Sequence, residues 1–166
     1  MGISMGNDLK NMSTNAFDKF WSQVAIDEEY SILVTGNSMY PFLYHNKSIV
    51  YIVKKLHYNL KKGDIILFQR NDGAFVLHRV IKICSQNFLY VNGDAQSWKE
   101  EINTDQIRAQ VIKIRRTDNI FSVNNLRYRI CVKFWMILFP IRPFLFKCRA
   151  KYIRERERLW GEKSKE

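Results

Sequence analysis

The sequence predicts a mainly β fold, a sandwich or a coiled, barrel-like sheet, with a short helix before it and a helical tail after it. Short runs of β-branched and aromatic residues recur between turn residues throughout 31–116. A face of apolar residues at helical spacing precedes these runs, and an aromatic, strongly basic segment follows them. We therefore expect a segment with a short helix over 1–30, a β domain over 31–116 and a basic, aromatic tail over 117–166.

The expected helix lies within Ala16–Tyr30, where five apolar residues share one helical face: Phe17, Phe20, Trp21, Val24 and Ala25. Six runs are typical of strands, at 31–35, 48–56, 64–70, 74–83, 88–93 and 109–116. Between the third and fourth runs, Asn71, Asp72 and Gly73 are typical of a hairpin turn.

The positive charge of the chain is confined to its C-terminal part. The 166 residues carry a net charge of +11, yet residues 1–107 have 11 Lys/Arg against 11 Asp/Glu, whereas residues 108–166 have 16 against 5. Hydrophobic residues make up 46% of the chain, which excludes general disorder. A basic surface suits an anionic membrane or a nucleic acid. Nucleic acid is not the expected partner, because no base-reading motif occurs and acids alternate with arginines in 154–158.

The apolar, aromatic segment 130–148 is expected to lie in the interface of an anionic membrane. Its longest uncharged run, Phe134–Ile141, is eight residues, whereas crossing a bilayer takes about 20. Trp135, Phe139 and Phe144 would then supply apolar burial, and the flanking basic residues would attract the lipid headgroups. The alternatives are a helix packed on the β domain and a strained membrane span.

No metal, cofactor or disulfide framework is expected. The three cysteines and three histidines do not have the spacing of a zinc site: Cys84, Cys131, Cys148, His45, His57 and His78. The first residues contain no apolar core of a secretory signal, so the expected location is cytoplasmic, with peripheral membrane association.

Ser38 is a candidate nucleophile. It lies in VTGNSMYPFL, where Gly36 and Asn37 can supply the backbone angles of a turn at the end of a strand. A serine hydroxyl needs a base to become a nucleophile. His78, within the apolar strand run AFVLHRVIKI, is the candidate base.

Two acids are candidates to orient the His78 imidazole and to stabilise its charged form. Asp94 lies in a tight Asn-Gly-Asp turn after a strand, and Glu100 follows six residues later. Their positions in the sequence do not show which of the two orients His78.

Four segments, GNSMYP, KKGDIILFQ, LHRVIKI and FLYVNGDA, occur in this order within residues 32–116. Together they resemble the conserved boxes of the signal peptidase and LexA-like serine peptidase superfamily, whose fold is a coiled all-β domain. Most bacterial members have a lysine base where this chain has His78. The histidine resembles the endoplasmic-reticulum and archaeal type of signal peptidase.

The resemblance implies roles for individual residues. Ser38 would be the nucleophile and His78 the general base, with Asp94 matching the acid of the Gly-Asp box and Glu100 as the alternative acid. The flanking residues Gly36, Asn37 and Met39 would form the substrate and oxyanion region. The Ser38 backbone N–H would help to form the oxyanion hole, while Gly36 lacks the side-chain hydroxyl that some bacterial members use.

The function implied is a serine endopeptidase that removes leader or signal segments from a polypeptide by a Ser/His mechanism. One alternative is a non-catalytic, membrane-docked module that binds peptides. Another is a LexA-like regulator without self-cleavage. It is disfavoured because about 30 residues before the β domain are too few for a helix-turn-helix module and no Ala-Gly dipeptide occurs.

Overall fold

A computed structural model describes residues 19 and 21–163, and within them the fold is mainly β, as predicted. Eight strands form one antiparallel sheet, which two helices follow. The strands are β1 (Glu29–Leu33), β2 (Ser48–Val53), β3 (Ile65–Gln69), β4 (Phe75–Ile83), β5 (Phe88–Asn92), β6 (Glu100–Asn103), β7 (Ile107–Arg116) and β8 (Asn119–Ser122). The helices are α1 (Leu126–Ile137) and α2 (Arg142–Lys163), and short 3-10 turns lie at Thr104–Gln106 and Phe139–Ile141.

The longest strand, β7, joins the two halves of the sheet. The strand order is β1–β2–β7–β3–β4–β5–β6, and β8 pairs with β7. The C-terminal part of β7 pairs with β2, as at Val111 opposite Ile52, and its N-terminal part pairs with β3, as at Ala109 opposite Leu67.

Both faces of the central strand β3 are buried. Ile65 and Leu67 pack in a larger core with residues of β1, β2, β7 and α1, whereas Ile66 and Phe68 pack in a smaller core with residues of β4, β5 and β6. A fully buried side chain of this kind stabilises the fold by about 1.5–3 kcal/mol. Successive side chains of β3 thus point to opposite faces of the sheet, and the strand separates the two cores.

The short helix expected within Ala16–Tyr30 is present, but it ends well before Tyr30. The described helix ends at residue 23, and Glu29 and Tyr30 belong to β1. Asp27 turns the chain with a φ of 62°, and its N–H donates to the carbonyl of Lys54. Pairing with β2 then outweighs the helical pattern in the sequence.

The apolar face predicted for this helix is described only in part. Trp21 and Val24 are buried in the larger core, as expected, whereas Ala25 is exposed. Residues 16–18 and 20 lie outside the described residues.

The chain after residue 116 is not only a tail. β8 adds to the sheet, and Asn125 begins α1 by accepting a hydrogen bond from the N–H of Arg127 at 2.9 Å. Tyr128 and Val132 of α1 are buried in the larger core. One face of α1 therefore packs on the β domain. No helix within the described part of the chain is long and apolar enough to cross a membrane.

Candidate active site

The turn that carries Ser38 is held from both sides. Gly36 adopts a φ of 89°, which favours glycine, and its N–H donates to Nδ1 of His45 at 2.8 Å. Met39 is 2% exposed and packs in the larger core. Ser38 itself is half-buried, so its side chain lies at the boundary between core and solvent.

A second turn, 93–96, braces the Ser38 backbone. The N–H of Ala95 donates to the Ser38 carbonyl at 2.8 Å. A Cβ on Gly93 would lie 2.7 Å from the same carbonyl oxygen, so this close approach requires glycine. Gln96 closes the turn by accepting a hydrogen bond from the N–H of Gly93.

His78 lies in β4 with its ring almost completely buried. It is 1% exposed, and its ring lies beside Phe68, with centroids 5.8 Å apart. The Nδ1 atom has no hydrogen-bond partner, but it lies 3.6 Å from Oε2 of Glu100. This distance is too long for a hydrogen bond, and the contact becomes an ion pair only when the ring is protonated.

Glu100 is fixed by a bidentate pair with Arg70. Nε and Nη2 of Arg70 donate to the two carboxylate oxygens of Glu100 at 2.5 and 2.6 Å. Such a pair sets the plane of the carboxylate. Sequence reasoning missed Arg70, because only the folded sheet brings its strand end beside β6.

Asp94 does not contact His78. Its carboxylate is buried and accepts from Nε and Nη2 of Arg79 at 2.8 and 2.6 Å. Arg79 also donates to the carbonyl of Gly63 at 2.8 Å and stacks on the ring of Tyr128. The sequence left open which of the two acids contacts His78. In the structure Glu100 lies beside the imidazole, and Asp94 pairs with the neighbouring arginine.

Burial lowers the pKa of the His78 imidazole to about 4, while the Glu100 carboxylate raises it and the Arg70 guanidinium lowers it. The ring is therefore neutral at pH 7, as a general base must be before it accepts a proton.

Ser38 and His78 line the same cleft, which has a volume of about 430 Å³. Within the described chain, no hydrogen bond joins their side chains. Residues 32–35, which include the end of β1, form one wall, and Phe75, Val76 and Leu77 of β4 form another.

Both strands present an unpaired edge. Among the described residues, β1 pairs with β2 alone. β5 pairs with β4 from Arg79 onward, so the first half of β4 has one unpaired edge within this part of the chain.

The chain matches no protein-family model and no curated protein in comparisons of its sequence. No group of His, Cys, Asp and Glu side chains in the described part of the chain is arranged to hold a metal ion.

Substitution of the two acids is expected to separate their roles. Glu100→Gln removes the charge beside His78, so any peptidase activity falls about 10²–10⁴-fold while the free energy of unfolding changes little. Asp94→Asn leaves Arg79 buried without its partner and lowers the free energy of unfolding by about 3–5 kcal/mol. Urea denaturation and peptide cleavage of both variants measure the difference. The reverse pattern, a stable Asp94→Asn protein and an unfolded Glu100→Gln protein, would contradict this assignment.

The low pKa of His78 predicts a pH-dependent stability. The unfolded chain binds a proton at His78 near pH 6.5, whereas the folded chain does so only near pH 4. The free energy of unfolding therefore has its full value above pH 6.5 and falls by about 3 kcal/mol as the pH drops to 4. Urea denaturation of the wild type and of His78→Gln between these pH values isolates the effect. Parallel pH dependence in the two proteins would refute it.

Proposed function

We propose that this protein is a serine endopeptidase of the signal-peptidase type, which cleaves leader or signal segments from a polypeptide. One observation carries the proposal. Ser38 and the neutral His78 line one cleft, and the carboxylate of Glu100 lies 3.6 Å from the Nδ1 of that histidine. The order of nucleophile, base and acid is that of a serine hydrolase.

The reaction is an acyl transfer to Ser38. His78 takes the hydroxyl proton as the oxygen attacks the peptide carbonyl, and Glu100 stabilises the resulting imidazolium. The C–N bond then breaks, and His78 gives the proton to the leaving amine. Water, deprotonated by the same ring, hydrolyses the Ser38 ester and releases the acid product.

Backbone donors at the nucleophile turn are free to stabilise the oxyanion. The N–H groups of Ser38 and Met39 donate to no other group within the described chain. One such donor is worth about 10²–10³ in rate. Asn37 lies on the exposed side of the same turn, and Gly36 adds no side-chain donor.

The walls of the cleft suit an extended peptide. The unpaired edges of β1 and of the first half of β4 can each pair with a backbone lying between them. A folded segment cannot make these hydrogen bonds. This favours flexible leader segments over folded proteins as substrates.

The catalytic proposal predicts that peptide cleavage depends on Ser38 and His78. Ser38→Ala and His78→Ala are each expected to lower cleavage of a mixture of leader peptides by at least about 10³-fold, because the nucleophile and its base act as a unit. Mass spectrometry of the products gives the cut bonds, and His57→Ala, an exposed histidine, is the control. Peptides bound but uncut by the wild type would favour the non-catalytic binding module. Cleavage that survives Ser38→Ala would refute the proposal.

We also propose that the enzyme works at an anionic membrane surface, through the outer faces of α1 and α2. Large apolar side chains are exposed on these two helices and on the turn between them: Leu126, Ile130, Phe134, Ile137, Ile141, Phe144, Leu145, Tyr152 and Ile153. Between residues 126 and 154 the chain has eight Lys/Arg and no Asp/Glu. An apolar face within a purely basic segment is suited to anionic lipid headgroups.

This surface predicts lipid-dependent binding. Phe134 and Ile137 are 64% and 73% exposed, so replacing both by Ser leaves the core intact and is expected to weaken binding to vesicles containing phosphatidylglycerol at least about tenfold. Leu56→Ser, at a residue 75% exposed elsewhere on the domain, is the matched control. Vesicle flotation measures the bound fraction. Equal binding to zwitterionic vesicles, or unchanged binding of the double variant, would contradict the proposal.

A further inference from the structure

A second pocket lies across the nucleophile turn from the cleft. Its volume is about 540 Å³, and it is lined by Asn37, Tyr40, Tyr44, His45, Lys47, Ala95, Phe146 and Arg149. Two of these residues belong to α2, so the C-terminal helix supplies part of the wall.

The inner face of α2 is held against the domain. Arg142, Phe146 and Arg149, spaced by four and three residues, share this face. Arg142 is 0% exposed and donates to the side chain of Asn92 at 2.9 Å, and the ring of Phe146 packs on Trp135 with centroids 6.1 Å apart. The wall is therefore part of the folded domain.

The cleft and this pocket share a border. Ser38 and Gln96 line the cleft, and their chain neighbours Asn37 and Ala95 line the pocket. The hydrogen bond from the N–H of Ala95 to the Ser38 carbonyl joins the two bordering segments. A peptide that lies along the cleft and passes Ser38 thus meets the second pocket on the other side of the bond to be cleaved.

The lining of the pocket has a defined chemistry. Tyr40, Tyr44 and Phe146 supply aromatic walls, and the Arg149 guanidinium stacks 4.1 Å from the ring centre of Tyr40. Lys47 adds a second cation, and no carboxylate belongs to the lining among the described residues. A positive pocket without acids attracts a negative side chain and repels a positive one.

We propose that this pocket is a substrate subsite that selects an acidic side chain. The selected residue follows the cleaved bond on the side opposite to the part of the peptide that lies in the cleft. That the ligand is a peptide substrate rests on the proposed peptidase function. The preference for an acidic side chain rests on the residues that line the pocket. The aromatic walls contact the aliphatic stem of the side chain, and Lys47 and Arg149 pair with its carboxylate.

Charge reversal tests the subsite. Ala-based peptides labelled with a fluorophore are scanned with Glu or Lys at each position, in detergent without lipid. Their binding to Ser38→Ala protein is measured by anisotropy and their cleavage by the wild type by mass spectrometry. We expect one position at which Glu is favoured over Lys by about three- to tenfold, as for partly exposed ion pairs. Arg149→Glu and Lys47→Glu should remove or reverse this preference.

The control is Arg156→Glu, which makes the same charge change on the same helix two turns beyond Arg149. It should keep the wild-type preference. Binding without any preference for Glu, or equal loss in all three variants, would overturn the subsite. Because anisotropy measures binding to an inactive protein, a failure of cleavage alone would count against the peptidase and not against the pocket.

Discussion

The buried pair of Arg79 and Asp94 is the interaction on which the candidate site depends. Both side chains are completely excluded from solvent, and two hydrogen bonds of 2.8 and 2.6 Å join them. Arg79 directly follows His78 in β4, and Asp94 directly precedes Ala95, whose N–H holds the Ser38 carbonyl. The pair therefore fixes the strand of the base against the turn of the nucleophile without touching either reacting group. A buried charge that loses its partner is strongly destabilising. Removing either side chain is therefore expected to disrupt the packing of the His78 strand against the turn that supports Ser38.

The same pair connects the C-terminal helices to the site. The backbone carbonyl of Asp94 accepts from Nε1 of Trp135 at 3.1 Å and from Nη1 of Arg142 at 3.3 Å, and the Tyr128 ring packs against Arg79. The inner faces of α1 and α2 thus support the second turn, 93–96. Their outer faces remain apolar and basic. The same segment therefore carries both the proposed lipid-binding face and the contacts that support the turn beside the proposed nucleophile.

Local patterns predicted much of the fold, and pairing between distant strands decided the rest. Alternation and turn residues predicted six of the eight described strands, because each depends on neighbours along the chain, whereas the four-residue strands β6 and β8 were missed. The choice between Asp94 and Glu100 depends on β6 lying beside β5, where Glu100 is opposite Val91, and spacing along the chain cannot give that register. The start of β1 at Glu29, two residues before the expected strand, has a similar cause, since it depends on pairing with β2.

The proposed chemistry is tested most directly by trapping the acyl-enzyme. A peptide ester with a good leaving group is mixed with the protein, the reaction is quenched in acid, and the modified residue is located by mass spectrometry of the digest. We expect an ester on Ser38 that accumulates in the wild type and is absent from His78→Ala. An adduct on another residue, such as Cys84, or peptide turnover without any Ser38 ester would contradict it.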